Sequence, residues 1–379
     1  MDQRTLGILL IALVAFGVTH VFADDNQALV AVATQAAQAK VFNVRSYGAV
    51  GDGVAMDTAA VQKTIDACHA EGGGIVRVPS GDFQIGTIWL RSNITLSLDH
   101  GASLLGSLDI AEYTTKGLSR PREGGPHCLI YAEDARNIVV RNCKVSSNTA
   151  PLKFGTSSRG GFIDVSVTNC YFYNSPMGAI KLQLVDGGRL ENVDISRIVM
   201  EDVGNPIFIR LGNRGRSYGK RERPFVGTLK NIRIRDVVAK VTIEDRAEAA
   251  RAGYKNLTVE TSPEVTDAEK SKSGPIMITG IPGHCVENVV LEDVTISYPG
   301  GGTEKDAQRA VPEDIARYPE QFFFGVLPAW GAHIRHARNV EFRNVVLKTR
   351  SPDARKKIVL DDVEGFSESS LDRQQKTAN

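Results

Sequence analysis

The sequence predicts an all-β chain wound as a parallel β-helix, and three observations carry that prediction. A nine-residue phrase recurs six times between Asn137 and Leu347, every copy opens with Asn or Asp, and every copy breaks a strand-like alternation at its sixth place with a polar residue. The copies read NIVVRNCKV from Asn137, DVSVTNCYF from Asp164, NVDISRIVM from Asn192, NIRIRDVVA from Asn231, NVVLEDVTI from Asn288 and NVEFRNVVL from Asn339. Apolar residues at the second and fourth places have the period of a strand. The phase then resets before the seventh and ninth, which is the signature of a corner. Asn and Asp suit a corner because they tolerate left-handed backbone and bond their own main chain. The first three copies start 27 and 28 residues apart, and the later gaps of 39, 57 and 51 leave room for loops. Self-similarity at this period marks a solenoid. The seventh-place residues Cys143, Cys170, Ile198, Val237, Val294 and Val345 should stack in one internal column at ~4.8 Å. Disulfide Cβ atoms lie ~3.8 Å apart, so Cys143 and Cys170 are expected as buried free thiols.

From the N-terminus, Arg4 followed by the apolar run Leu6 to Val18 and Val21-Phe22-Ala23 reads as a secretory signal peptide cleaved after Ala23. Residues 24–40 read as a linker, 41–366 as the β-helix and 367–379 as a polar tail. Asp57 is placed as the N-cap of a helix from about Thr58 to Ala70, closed by Gly72-Gly73-Gly74, which should cover the open end of the solenoid. Strands are expected at Ile75–Val78 and Ile94–Leu98.

A net charge of +1 gives no global field to recruit nucleic acid or a membrane surface. With the signal peptide removed and no other segment able to span a membrane, the mature chain is expected as an exported, soluble protein, and as a monomer. Five scattered cysteines form no CxxC pattern, and no P-loop or dinucleotide fingerprint is present, so neither metal nor cofactor is expected.

VFNVRSYGAVGDG (Val41–Gly53) and GGGIVRVPSGDF from Gly72 resemble the N-terminal signature of pectate-lyase-like β-helix proteins. LKFGTSSRGGF (Leu152–Phe162), VDGGRLENV (Val185–Val193), IFIRLGNRGR (Ile207–Arg216), ITGIPGH (Ile278–His284) and LPAWGAHIRHARN (Leu327–Asn339) together resemble a bacterial branch of the polygalacturonase family, glycoside hydrolase family 28. The resemblance implies a right-handed, single-stranded, pectin-lyase-like parallel β-helix. It also implies inverting hydrolysis of pectic polysaccharide by carboxylates on adjacent coils. The family takes those carboxylates from Asn-Thr-Asp and Asp-Asp motifs. Here Asn148-Thr149 is followed by Ala150, and Asp-Asp occurs only at Asp24-Asp25 and at Asp361-Asp362, which is read as lying in the tail. By this resemblance the two aspartate coils are missing between Ile138 and Val139, with the repeat phase kept across the join. No catalytic Asp can be assigned by motif.

The site candidates follow from residue type and place. Lys153, Lys181 and Gln183 lie on successive coils and suit a uronate carboxylate, or else a solvated face. Arg210, Asn213 and Arg214, continued by Arg216, Lys220, Arg221 and Arg223, form the most basic stretch, suited to an acidic ligand or to an exposed loop. These two groups are expected to share one open groove. Asp186, in a VDGG turn, is the weak catalytic candidate, and Glu133 and Asp134 could reach the cleft. His336, beside Arg335, could line a substrate loop. His333 and His336 should point to opposite faces, and Gly283-His284-Cys285 lies too late in the chain for catalysis. The expected function is pectin-directed glycoside hydrolysis, weak or lost. The alternatives are a non-catalytic pectin-binding β-helix and, ranked last, a polysaccharide lyase.

Overall fold

The corners of the phrase turn the chain as its residue types require. All twelve first-place and sixth-place residues of the six copies adopt left-handed backbone, with φ between 53° and 62°. Eleven of them are Asn or Asp; the exception is Arg197. Their side chains also link the coils. Nδ2 of Asn137 donates to Asn93 (2.8 Å), Asn192 to Asp164 (2.9 Å), Asn231 to Asn192 (3.0 Å), Asn288 to Asn231 (2.9 Å) and Asn339 to Asn288 (3.1 Å). Asn93 shows that one more coil precedes those the phrase picks out. Replacing Asn231 by Ala should cost about 2 kcal/mol, from a strained φ and two lost ladder bonds. Asn231→Gly should cost less, and equal losses in denaturant melts would show that the backbone contributes nothing.

The computed structural model describes residues 40–107, 109–113, 129–132, 135–147, 150–155, 160–216, 225–242, 274–317 and 319–370. These residues form a right-handed parallel β-helix, and every strand ladder in it is parallel. One face runs through β1 (Val41–Asn43), β3 (Gly74–Val78), β6 (Ile94–Leu98), β9 (Arg136–Arg141), β12 (Phe162–Ser175), β14 (Arg189–Val203), β16 (Thr228–Val241), β18 (Val286–Tyr298), β19 (Ala329–Thr349) and β20 (Lys356–Ser369). A second face holds β5 (Ile88–Leu90), β8 (Ile130–Ala132), β11 (Leu152–Phe154), β13 (Ile180–Leu184), β15 (Ile207–Leu211) and β17 (Ile276–Thr279), then the start of β19. The third begins with β2 (Asp52–Met56), β4 (Gly81–Ile85) and β7 (Ala102–Gly106) and resumes with β10 (Lys144–Ser146) and the later halves of the long strands.

At Ile138-Val139, where the resemblance places the missing coils, the first face is in register, Val139 pairing with Thr95 on one side and Ser166 on the other. The other two faces break there. β5 pairs only with β8, β2–β4–β7 form a separate sheet, and β10 and β11 start new ladders. In-register closure thus holds for one sheet of three.

Inside, the seventh-place column forms as expected. Cys170, Ile198, Val237, Val294 and Val345 are Cα partners in sequence, and Cys143 sits beside Cys170, all of them buried. Both cysteines are free thiols, their Sγ atoms donating to the Arg141 and Thr168 carbonyls. Cys68, on the helix Thr58–Ala70, is buried with Val61 and Ile65 against the same core. Asp57 holds the N-cap position, its carbonyl accepting from the Val61 amide at 2.9 Å, but its side chain makes no capping bond. Its carboxylate accepts from the amides of Val50 (2.6 Å) and Gly51 (2.9 Å), so it ties down the preceding loop instead. β20 runs to Ser369, past the expected boundary at 366, and Asp361-Asp362 therefore belongs to the last coil rather than to a tail. Among the described residues no helix is long and apolar enough to cross a membrane. The segments read as signal peptide and, but for Lys40, as linker lie outside the described residues.

Candidate functional site

On the second face, outward side chains fall into two rows because alternate residues of a strand share a side. One row runs Lys153, Lys181, Phe208, Met277 and His333; the other runs Gln183, Arg210, Thr279, Arg335 and Asp361. Lys181, Gln183 and Arg210 thus share a face, as expected. The face is not an open groove, however. The segment between β18 and β19 crosses it, and Lys181, Gln183 and Arg210 are almost wholly buried. A Phe322-Phe323-Phe324 triplet anchors this strap. Phe324 packs with Leu327 on Phe208 and Met277, and Phe322 and Phe323 pack on Met177.

With the triplet comes Glu320, which is fully buried. Its carboxylate accepts from Nζ of Lys153 at 2.8 Å and pairs with Nζ of Lys181. Burial alone would raise its pKa, but the two ammonium groups outweigh burial and hold it down at about 2. A carboxyl in that state cannot serve as a general acid near neutral pH. Gln183 Nε2 donates to the Pro319 carbonyl at 2.6 Å.

Arg210 lies over the Phe324 ring, 5.2 Å from its centroid, and donates only to neutral oxygens. Nη1 reaches Gly280 O (2.8 Å) and Thr279 Oγ1 (3.2 Å), while Nη2 reaches Glu313 O (2.9 Å) and Asp314 O (3.0 Å). Burial, with Arg335 nearby, lowers its pKa to about 10.

Asp186 is buried just past β13. It is gripped by the Arg214 guanidinium (Nε at 2.9 Å) and by the Arg216 amide at 3.0 Å. It fastens the 212–216 loop, and the Asn213 amide ties that loop to the strap at Ile315 O (2.7 Å). Glu133, Asp134, Lys220, Arg221 and Arg223 lie outside the described residues.

The other acidic groups gather at the far end of the face. His336 Nδ1 lies 2.6 Å from Asp362, and its Nε2 lies 3.1 Å from Glu313, which also faces Arg335 Nη1 at 3.3 Å. The imidazole fills the space between these two carboxylates, where an inverting enzyme needs sugar and water. Glu313, beside the Arg335 strand, is three strand spacings from Lys181 and hence roughly 14 Å from Glu320. That is well beyond the ~6.5–9.5 Å of an inverting pair. Glu313 and Asp362 do face each other at the far end, but with the His336 ring between them. A surface depression of about 390 Å³ opens beside His336, over Cys285, Arg338 and Glu364, away from the two rows.

His333 is buried in the first row, and burial pushes its pKa down to about 4, helped by Arg335 and opposed by Asp361. A histidine depressed in the fold stabilises it above the unfolded value near 6.5, and that stability is lost as pH falls toward 4. His333→Leu should therefore flatten the stability profile between pH 6.5 and 4. An unchanged slope in melts across that window would place the titration elsewhere.

Sequence reasoning missed Glu320. The available signal was the PEQFFFG run from Pro319 inside a 51-residue gap between phrases. Three adjacent aromatics in a loop must bury somewhere, and they carry the neighbouring carboxylate with them.

Fold and site together define a parallel β-helix protein with a cation-bearing sheet covered by one of its own loops. Residues 41–207 match the family model described as rhamnogalacturonase A/epimerase, pectate lyase-like. Over 134 residues, 34% of this chain, it is 45% identical to an exo-poly-α-D-galacturonosidase of Dickeya chrysanthemi. Over 116 residues, 28% of this chain, it is 44% identical to a mannuronan C5-epimerase of Azotobacter vinelandii. The matches span 22% and 8% of those proteins' own lengths. A hyperthermoactive exopolygalacturonase structure from Thermotoga maritima aligns over 87% of this chain and 81% of its own, at 14% identity and a TM-score of 0.38.

Proposed function

We propose that the protein is a pectin-directed β-helix of glycoside hydrolase type, exported to act on polygalacturonan or rhamnogalacturonan, in which inverting hydrolysis is weak or lost. The observation that carries the reading is the placing of Lys153, Lys181, Arg210 and Arg335 on one face, in a chain with a galacturonosidase-like stretch. Cations spaced along a sheet suit a polymer bearing a carboxylate on each sugar, because charge-assisted bonds to carboxylate are about twice as strong as neutral ones. At one end Lys153 and Lys181 are taken up by Glu320, which leaves the Arg210 and Arg335 guanidiniums at the other end for that role. Pectin binding without catalysis is favoured over full activity by Glu320, the carboxylate nearest the lysines, which is held ionised and ion-paired.

Calorimetric titration of the purified chain with polygalacturonate, rhamnogalacturonan and a neutral β-glucan tests the reading. Binding of at least one pectic polymer well above the glucan is expected. Equal binding of all three, or none, would overturn it.

A further inference from the structure

Five successive carbonyls of the strap point inward onto the sheet. Val311 O and Pro312 O accept from Arg335 (2.9 and 2.7 Å), Glu313 O and Asp314 O from Arg210 (2.9 and 3.0 Å), and Ile315 O from the Asn213 amide (2.7 Å). Asp314 sits in left-handed backbone, φ 44°, which lets two consecutive carbonyls reach the same Nη2. Arg210, buried to 1% exposure, has no carboxylate within ion-pair distance among the described residues. A buried cation satisfied only by neutral oxygens is costly to keep. Other polar atoms under the cover, Gln183 Oε1, His333 Nδ1 and Arg335 Nε, have no hydrogen-bond partner. Buried polar atoms are ordinarily paired, and such a cluster fits a polar ligand better than it fits this loop.

The strap is also uneven. Residues 319–329 are buried, whereas none of 303–317 is, and this outer arm is rooted in Gly300 and Gly301, both at positive φ. Its apolar hold on the sheet is the half-buried Val311, against the Phe208, Met277, Phe324 and Leu327 cluster. Glu313 ties it down to Arg335 and His336.

We infer that the arm 303–317 is a displaceable cover, and that lifting it exposes a carboxylate-binding site made by the Arg210 and Arg335 guanidiniums. The identity of the ligand as a uronate rests on the pectic reading above; the site and its cover do not. In the closed state main-chain oxygens occupy the places that carboxylate oxygens take in the open one.

The test uses the full chain carrying Glu313→Ala, with trigalacturonate and malonate as probes and hydrogen exchange as the monitor of the arm. Freed of its tie, the arm should exchange about 10-fold faster over 303–317 with little change elsewhere. Both anions should bind about 10-fold more tightly as the competent fraction rises. Adding Arg210→Met, which keeps the packing on Phe324, should abolish the gain. If that variant does not fold, Arg210→Lys, which loses the fork, should remove most of it. Unchanged exchange, or a gain that survives loss of the guanidinium, overturns the inference. Tighter malonate with no binding of trigalacturonate upholds cover and site but overturns the pectic reading. Trigalacturonate bound alike by wild type and Glu313→Ala leaves that reading standing and overturns the cover.

Discussion

Replacing Glu320 by Ala is expected to destabilise the fold by about 3–5 kcal/mol, because it strands a buried Lys181 ammonium without its counter-charge. The Lys153 arm of the pair is partly solvated, with 21% of that side chain exposed, so it adds less. The same carboxylate predicts a pH profile. Its pKa is about 2 in the fold against an ordinary value of 4.5. A carboxylate depressed in the fold stabilises it above the unfolded value, so this contribution is complete above pH 4.5 and is lost as pH falls toward 2. It should amount to something on the order of 3 kcal/mol. Denaturant melts from pH 7 to pH 2 should show the wild type losing stability in that window and Glu320→Gln losing much less. Parallel profiles would mean that Glu320 does not control the acid limb. The double variant Glu320→Leu, Lys181→Met should recover much of the loss, since an apolar pair in place of a buried ion pair is often neutral or stabilising.

Reducing-end release from polygalacturonate should proceed far below the ordinary range of ~1–10³ s⁻¹. A positioned acid or base contributes ~10²–10⁴-fold, and among the described residues the face offers neither in working form. Glu320 is ion-paired, Asp186 is clamped by Arg214, and the carboxylates near His336 enclose an imidazole rather than a gap. Inserting two aspartate-bearing coils between Ile138 and Val139 should raise turnover by at least ~10²-fold. It should also give β5–β8 and β11–β13 a chance to become one ladder, since the breaks in those sheets fall at that point. Turnover in the ordinary range from the unmodified chain would show that other carboxylates do the work. Products absorbing in the ultraviolet would point to elimination instead.

The parts of this protein legible in the sequence share one physical property: they are local or repeat at short range. A left-handed corner needs Asn or Asp at a given place, and an inward column needs an apolar residue at a given phase, so the phrase announces both. The column from Cys143 to Val345 and the helix Thr58–Ala70 follow from such signals. Asp57 stands at the N-cap as its residue type suggests, but its carboxylate serves amides outside the helix, those of Val50 and Gly51. Asp361 and Asp362 went unrecognised as part of a coil because β20 carries no full copy of the phrase.

By itself the sequence determined the winding of the chain, its corners, its internal stacking and the side of the sheet on which Lys153, Lys181, Gln183 and Arg210 emerge. What covers that side was decided only by the tertiary structure. Glu320 meets Lys181 across 139 residues of chain and Lys153 across 167, and no periodicity links such partners. Burial of three phenylalanines brings the strap onto the sheet and leaves its charges to pair with whatever cations lie beneath. Those pairings settle whether this face is a groove or an interior.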